Sequence, residues 1–192
     1  MKKKIVIIYG HPDKESYCYS LGRAYMQGAM STGAEVKEVV VTDLEFNPNL
    51  KYGFRKPTPF EPDLLEVRET INWADHLVWV YPLWWGSVPA LLKGFIDRMF
   101  IPGFAFNPQK GSRLWDSYLK GKSSRIIYSY NNEIWYTSLF LKVDGAFTIK
   151  TMLKYCGVKP IKVTSIGRIR LSEDEFREKW LKKVQKIGTQ MR

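Results

Sequence analysis

The sequence predicts an open, doubly wound α/β fold with five parallel strands, on the basis of three observations. Five short apolar runs recur along the chain, and unbroken runs of this kind are typical of strands buried on both faces of a parallel sheet. Stretches with helical periodicity separate the runs, so that strands and helices alternate. The length of 192 residues and the hydrophobic fraction of 45% fit a single domain, residues 1–192, and argue against a disordered chain.

In chain order, the predicted strands are Ile5–Tyr9, Val36–Val41, Leu77–Tyr81, Ile126–Tyr130 and Ile161–Ile166. The predicted helices are residues 17–30, Leu64–Trp73, residues 88–99, Ala146–Tyr155 and a last helix that follows Ser172. The third helix has the clearest pattern, because its apolar residues recur with helical spacing from Val88 to Met99. The last helix opens with the capping-box pattern Ser172-x-x-Glu175. Two connections are long, Thr42–Pro62 and Phe100–Ser123, and such loops are usually functional or mobile.

The net charge of +11 is distributed unevenly. Residues 1–109 carry 12 basic and 12 acidic side chains, whereas residues 110–192 carry 18 and 7. This excludes a basic coat over the whole protein. The lysines of the last helix share it with an apolar stripe, so they are expected to form a solvated face, and nucleic-acid binding is not favoured. Lys120, Lys122 and Arg125 are candidates to attract an anionic nucleotide.

The two cysteines, Cys18 and Cys156, cannot form a disulfide framework and have no metal-ligand spacing near them, so no metal site is predicted. The apolar run that ends at Tyr9 is too short for a signal peptide or a membrane span. We therefore expect a reduced, cytoplasmic protein without membrane insertion.

Three loops are expected to meet at the ligand-binding edge of the sheet. In open α/β sheets ligands bind at the carboxyl ends of the strands, where the strand order reverses. With the order 2-1-3-4-5, the loops after strands one, three and four come together. These loops are Gly10–Ser16, Pro82–Ser87 and Asn131–Tyr136.

The first loop leads directly into a helix. Backbone N–H groups at the start of that helix, with the Ser16 hydroxyl and the His11 ring, could bind a phosphate. The alternative is an ordinary turn in which Ser16 is only the helix N-cap. The loop has no glycine-rich run, which argues against a Walker loop and against the dinucleotide-binding fingerprint.

The second loop contains two tryptophans, Trp84 and Trp85, beside Gly86. Flat aromatic faces at the ligand-binding edge suit a planar aromatic ligand. The alternative is that one or both tryptophans fill the core, and we expect this of one of them. Ser87 is expected to cap the next helix. A loop suited to phosphate beside a loop suited to a ring system favours a flavin site.

The motifs around these loops resemble those of a known family. Ile5–Tyr9 with the following Gly-His-Pro, the segment Tyr81–Phe100, and Pro-Gly-Phe-Ala-Phe at Pro102–Phe106 are similar to NAD(P)H quinone oxidoreductases. That family has a flavodoxin-like fold and includes DT-diaphorase and ancillary proteins of bacterial potassium efflux. The resemblance extends to about Lys159 and implies a flavodoxin-like sheet of five strands in the order 2-1-3-4-5.

The resemblance also implies roles for individual residues. Those that stand where the family binds the flavin phosphate and ribityl region are His11, Ser16, Tyr17 and Cys18. Those that border the isoalloxazine ring are Pro82, Leu83, Trp84, Trp85 and Gly86. Asn131 and Asn132 replace two glycines that are usual in the family, and Cys18 replaces an asparagine. Tyr136 is the candidate catalytic residue, as a hydrogen-bond donor to the developing quinol.

The function implied is a flavin-dependent NAD(P)H oxidoreductase that reduces quinones or similar electron-poor acceptors by two-electron, ping-pong hydride transfer. FMN is the favoured cofactor, FAD is the alternative, and NADPH or NADH is the electron donor. A homodimer is expected, with exposed aromatic residues around Phe104, Phe106 and Trp115 at its interface. The altered Asn131-Asn132 loop supports the alternative function, a flavin-binding regulatory subunit with a membrane transporter as its partner.

Overall fold

The computed structural model describes residues 2–133 and 135–191, and in it five strands form one parallel sheet. In chain order the strands are β1 (Lys4–Tyr9), β2 (Glu35–Val40), β3 (His76–Pro82), β4 (Phe106–Pro108), β5 (Trp115–Ser117), β6 (Ser123–Ser129) and β7 (Ile161–Ile166). The parallel sheet has the order β2-β1-β3-β6-β7. Numbered within the sheet alone, this is 2-1-3-4-5, so the predicted flavodoxin-like topology is confirmed.

Helices cover both faces of the sheet. They are α1 (Tyr17–Ser31), α2 (Pro62–Trp73), α3 (Ala90–Met99), α4 (Phe147–Tyr155) and α5 (Asp174–Thr189). One core cluster joins α2, α3 and α4 to the sheet, and the other joins α1 and α5 to its opposite face. Because both faces are covered, every residue of β3 is buried.

Two glycines allow α1 and α5 to approach closely. A Cβ atom on Gly28 would collide with the carbonyl oxygen of Gln185, and one on Gly188 would collide with that of Tyr25. The lysines of α5 are exposed while Val184 is buried, as the apolar stripe predicts.

The first long connection is held by Arg98 of α3. This side chain is 1% exposed, and its Nη2 lies 2.7 Å from Oε2 of Glu61. The guanidinium also donates to the carbonyl oxygens of Asn47 and Pro59. The proline-rich segment is therefore held by an ion pair whose arginine is buried, together with the two bonds to carbonyl oxygens.

The second long connection contains structure that the sequence did not predict, because β4 and β5 pair in antiparallel fashion. Trp115 stacks on Tyr155 with 4.2 Å between ring centroids, which fastens this hairpin to the end of α4. Phe104 is buried beside Phe100, so the expectation that it is an exposed interface residue is wrong. The connection folds back onto the core and covers this ring.

Two predicted helix caps are wrong, because in each case a residue after the serine is the N-cap. Helix α3 begins after Pro89 and not after Ser87. Helix α5 begins after Glu173 without a side-chain cap. The Ser172 hydroxyl instead donates to the carbonyl oxygen of Ile169 and accepts from Nε of Arg177.

The basic residues before and within β6 lie at the amino end of the sheet. The Lys122 ammonium group donates to the carbonyl oxygens of Asn72 and Ala74, at the end of α2. Arg125 is buried and donates to the Thr164 hydroxyl. These residues therefore lie at the end of the strands opposite the ligand-binding edge, and their contribution to a field that attracts a nucleotide stays a prediction.

Both cysteines are buried and carry free thiols. Among residues 2–133 and 135–191, no helix combines the length and the apolarity needed to cross a bilayer.

Candidate functional site

The carboxyl ends of four strands meet at one edge of the sheet and enclose two adjoining cavities of about 210 and 800 Å³. Eight of the predicted cofactor residues line the smaller cavity: His11, Ser16, Tyr17, Cys18, Pro82, Leu83, Trp84 and Asn131. The remaining three, Trp85, Gly86 and Asn132, line the larger cavity. The structure thus brings all the predicted cofactor residues together, as the strand order requires.

The start of α1 presents hydrogen-bond donors to the smaller cavity. Ser16 is the N-cap, and its Oγ accepts from the Tyr19 N–H at 3.2 Å. The backbone N–H groups of Tyr17 and Cys18 have no partner in the described part of the chain. Unpaired N–H groups in the first turn of a helix are suited to an anion.

His11 lies beside these donors. Its Nδ1 accepts from the Asp13 N–H at 3.0 Å, so the neutral ring carries its proton on Nε2. Its ring is edge-on to that of Trp84, with 5.7 Å between centroids. Burial lowers the pKa of His11 below its ordinary value, against the opposing effect of Asp13. At neutral pH the ring is therefore a neutral hydrogen-bond donor at the cavity wall.

Burial also suppresses acid–base chemistry in the rest of this wall. It raises the pKa of the Cys18 thiol to about 12 and that of the Tyr17 hydroxyl to about 12. The Tyr17 hydroxyl donates to the carbonyl oxygen of Arg177, which ties the start of α1 to α5. Cys18 therefore remains a protonated thiol and is not a nucleophile.

A tight turn carries the two tryptophans at the rim of the larger cavity. The N–H of Trp84 donates to the Ser87 oxygen at 3.0 Å, and the N–H of Ser87 donates to the Trp84 oxygen at 2.9 Å. The central residues, Trp85 and Gly86, have φ angles of 50° and 75°. Glycine adopts this left-handed region readily, but tryptophan rarely does. Strain of this kind is concentrated at functional sites.

The turn also explains why neither tryptophan fills the core. Trp85 is fully exposed and Trp84 is 44% exposed, so the expectation that one of them is buried is wrong. The chain reverses at the rim, which directs both rings away from the interior and leaves them available to a ligand.

The opposite wall of the larger cavity is polar. Asn131 and Asn132 follow β6 and are exposed, and Tyr130 beneath them is buried. The N–H of Tyr130 donates to the Ile166 oxygen at 3.0 Å, so that this loop rests on the end of β7.

Tyr136 lies on a single turn of π-helix, Tyr136–Phe140, beside the larger cavity. It is 41% exposed and stacks on Phe140, with 5.8 Å between centroids. Thr137 of this turn lines the cavity, as do Leu141 and Val143, which follow the turn. The catalytic role of Tyr136 remains a prediction.

The loop after β7 was missed by the sequence reasoning. Ile169 lines the smaller cavity and Arg170 lines the larger one. The available signal was topological, because the last parallel strand also ends at the ligand-binding edge. The sequence Gly-Arg-Ile-Arg directly after β7 could have indicated a cationic contribution to the site.

The two cavities fit the two halves of a flavin. The smaller offers unpaired N–H groups to a phosphate, and the larger combines exposed indole rings with polar side chains. Its volume is in the range of ordinary cofactor sites. Among residues 2–133 and 135–191, no group of three or more metal-ligating side chains is placed to hold a metal ion.

Comparison with known proteins agrees with this geometry. A family model described as flavodoxin-like fold matches residues 3–190. The chain belongs to this family. A Streptococcus mutans protein of the same fold has a crystal structure that superposes with a TM-score of 0.82 at 30% identity, covering 97% of this chain and 99% of that one.

Two relatives carry names that describe an activity. The chain is 27% identical to a Haemophilus influenzae protein named as an uncharacterized NAD(P)H oxidoreductase, over 90% of this chain and 88% of that protein. It is 24% identical to ribosyldihydronicotinamide dehydrogenase (quinone) of Rattus norvegicus, over 96% of this chain and 92% of the rat protein. These relatives confirm the resemblance to NAD(P)H oxidoreductases that the motifs of this chain indicate. They also confirm the predicted class of enzyme.

Proposed function

We propose that this member of the family is a flavin-dependent NAD(P)H oxidoreductase that reduces quinones or similar electron-poor acceptors. The observation that carries the proposal is the convergence of eleven residues, chosen from sequence alone, on two adjoining cavities at one sheet edge. Two cavities with different linings suit a ligand that has an anionic tail and a planar ring.

The smaller cavity would hold the phosphate. The unpaired N–H groups of Tyr17 and Cys18 and the Nε2–H of His11 are neutral donors, and they lie at the positive end of the α1 dipole. The Ser16 hydroxyl donates to the Asp13 oxygen at 2.7 Å and would exchange this bond for one to the phosphate. Neutral donors with a helix dipole bind an anion without requiring a protonated side chain, so phosphate binding is expected to persist above neutral pH.

The larger cavity would hold the ring and its reaction partners. The Trp84 and Trp85 rings supply flat apolar surface, and the backbone N–H groups of Trp85 and Gly86 have no partner in the described residues. Such fixed donors stabilise negative charge that develops on a bound ring. When bound, the flavin would accept a hydride from the nicotinamide and pass two electrons to the acceptor.

The cycle proposed is ping-pong. Asn131, Asn132 and the tryptophan turn enclose a single large cavity, so the nucleotide and the acceptor would occupy the same space in alternation. Tyr136 is proposed to donate a hydrogen bond to the developing quinol from the neighbouring π-helical turn. Parallel lines in double-reciprocal plots are the kinetic result expected.

The test of the activity is direct. The purified full chain, incubated with FMN, should oxidise NADPH or NADH in the presence of a quinone. A folded sample with bound flavin that oxidises neither nucleotide with any quinone would exclude the proposed function. Heating the protein and weighing the released flavin by mass spectrometry would identify it. We propose FMN rather than FAD, because the chain is short and Cys18 replaces the asparagine that is usual in the family.

A second candidate function rests on the exposed apolar surface beside the site. Trp135, Leu139 and Phe140 are all more than half exposed. A flavin-binding regulatory subunit would use such a surface to contact a partner, for example a membrane transporter. Copurification with a transporter, together with undetectable turnover, would favour this function, whereas rapid turnover of the isolated protein would count against it as the sole function.

We also propose a homodimer, through a surface that includes Phe106 of the expected interface but not the buried Phe104. A groove of about 360 Å³ is lined by the exposed rings of Phe54 and Phe147 and by Phe106 and Tyr155. Exposed aromatic grooves of this kind mark contact sites. Light scattering should give a molecular mass of twice the chain mass at micromolar concentration. Phe147→Glu should lower this mass toward that of the single chain. A monomeric wild type would contradict the proposal.

A further inference from the structure

Arg170 is a cation without a counter-ion at the wall of the larger cavity. Its guanidinium has no hydrogen bond or ion pair in the described part of the chain. No aspartate or glutamate among the described residues lines either cavity. Among the described residues, the lining of the larger cavity therefore carries one formal positive charge and no formal negative charge.

The neighbouring arginine shows that this lack of a partner is specific. Arg168 lies two residues earlier, and its Nε is 2.9 Å from Oε1 of Glu133. That ion pair consumes the acidic side chain nearest to the Asn131-Asn132 loop. Arg168 is thus a structural cation, whereas Arg170 remains available to a ligand.

The loop that carries Arg170 is fixed to the opposite loop. The N–H of Arg168 donates to the Asn132 oxygen at 3.1 Å, and the N–H of Ile169 donates to the Tyr130 oxygen at 3.2 Å. Arg168 has a left-handed backbone with φ of 65°, which turns the chain toward the cavity. A Cβ atom at Gly167 would lie 2.8 Å from the Asn132 oxygen, so only glycine permits this approach.

A second set of bonds holds the short helix Ile169–Leu171 from the other side. The Ser172 hydroxyl and Nη2 of Arg177 both donate to the Ile169 oxygen, at 2.7 and 3.2 Å. Arg170 therefore projects from a turn whose backbone is anchored at both ends.

Two amide side chains face the same cavity. Asn131 and Asn132 line it with Arg170, and neither amide has a partner among the described residues. The amide N–H groups and the guanidinium together supply several hydrogen-bond donors and one positive charge. Such a set recognises the oxygens of a carboxylate, sulfonate or phosphate.

We propose that Arg170, with the Asn131 and Asn132 amides, binds an oxyanion carried by a compound that enters the larger cavity. This inference rests on the proposed function for the identity of that compound. The oxyanion belongs either to the acceptor, as a carboxylate or sulfonate, or to the electron donor, as the additional phosphate that distinguishes NADPH from NADH. Arg170 would then determine specificity and would not take part in electron transfer.

The experiment compares matched substrates in matched variants. Naphthoquinone sulfonate and unsubstituted naphthoquinone are the acceptor pair, and NADPH and NADH are the donor pair. Arg170→Gln removes the charge, Arg170→Lys retains it, and Lys162→Gln removes one charge from the amino end of the adjacent β7.

If the acceptor carries the oxyanion, Arg170→Gln should lower the ratio of kcat/KM for the sulfonate over the unsubstituted quinone about tenfold. If the donor carries it, the NADPH over NADH ratio should fall about tenfold instead. Arg170→Lys should recover part of the ratio, and Lys162→Gln should leave both ratios as in the wild type. Two ratios that are unchanged in Arg170→Gln would overturn the proposal.

A binding measurement keeps this test independent of turnover. Quenching of tryptophan fluorescence by the sulfonated quinone reports its dissociation constant even if the protein oxidises neither nucleotide. In that case absent turnover would overturn the proposed function alone. A dissociation constant for the sulfonate and for NADPH that is equal in wild type and Arg170→Gln would overturn the role of Arg170.

Discussion

The two ends of the parallel sheet both contain histidine and basic side chains, but these are buried or bonded at the amino end and face cavities at the carboxyl end. At the amino end, His76 and Arg125 are buried, and Lys122 is bonded to the end of α2. At the carboxyl end, His11 and Arg170 face cavities and retain unused donors. The comparison teaches that residue type alone does not identify a site. What distinguishes the carboxyl end is that its unused donors line cavities that a ligand can enter, whereas the unpaired Nε2 of His76 is buried in the protein.

The largest expected effect concerns the two histidines, which are the only ones in the chain. Burial lowers the pKa of His76 to about 3, with smaller contributions from the charges of Lys3 and Arg125. The folded state therefore holds this ring neutral, and stability present above the unfolded pKa of about 6.5 is lost as the pH falls toward 3. The total loss in the free energy of unfolding is on the order of 5 kcal/mol, or about 1 kcal/mol per pH unit near pH 5.5.

Urea unfolding between pH 5 and 6.5 measures the slope of the free energy of unfolding against pH. His76→Phe should flatten it, because the variant has no buried imidazole to protonate on unfolding. His11→Phe is the control and should change the slope much less, because His11 is partly exposed. Equal slopes in the wild type and His76→Phe would contradict the contrast between the two ends.

The tryptophans give the next largest contrast. Trp79 is completely buried in β3, and Trp79→Ala is expected to lower the free energy of unfolding by about 3–5 kcal/mol. Trp85 is fully exposed on a strained turn, and Trp85→Ala should change stability by less than about 0.5 kcal/mol. Its expected effect is on the ligand, with FMN affinity about tenfold weaker because one stacking face is lost. Chemical denaturation and flavin titration separate the two outcomes, and unchanged FMN affinity in Trp85→Ala would remove this indole from the site.

The lysines before β6 extend the comparison to charge. Lys122 caps the end of α2, so Lys122→Met should lower stability by about 1–2 kcal/mol. Lys120→Met removes an equal charge from an exposed position without a hydrogen bond and should be close to neutral. Neither should alter KM for the nucleotide. A rise in that KM for Lys122→Met would show instead that this lysine contributes to the attraction of the nucleotide.

The sheet and its ligand-binding edge could be predicted because strands buried on both faces of a parallel sheet contain runs of consecutive apolar residues. The run Leu77–Tyr81 marks β3 for this reason, and strand order then determines which loops meet. The contributions of Ser87 and Ser172 could not be predicted, because a serine before a helix is equally suited to a turn. The exposure of Trp85 depends on a left-handed backbone at tryptophan, which no local preference indicates.

The cationic part of the site was missed for a different reason. Arg168 and Arg170 are two residues apart in a strongly basic segment, and sequence does not show which of them meets an acidic partner. Glu133, which is 35 positions from Arg168 in sequence, forms that pair only once β6 and β7 are adjacent. Whether an arginine can contact a ligand thus depends on which side chains the fold places beside it. The difference between the two ends of the sheet has the same origin.

The smallest effect separates the two roles of Ser16, as a helix cap and as a phosphate donor. Ser16→Ala removes the bond to the Tyr19 N–H and should cost about 1 kcal/mol of stability. Ser16→Asp keeps a good N-cap and adds a negative charge that the helix dipole favours, so its stability should match the wild type. That same charge would occupy the place of the flavin phosphate and repel it. FMN affinity in Ser16→Asp should therefore fall at least tenfold, as flavin titration would measure. A variant with both wild-type stability and wild-type FMN affinity would show that Ser16 is only a cap. The polar groups of the smaller cavity would then serve the fold alone, as those at the amino end of the sheet do.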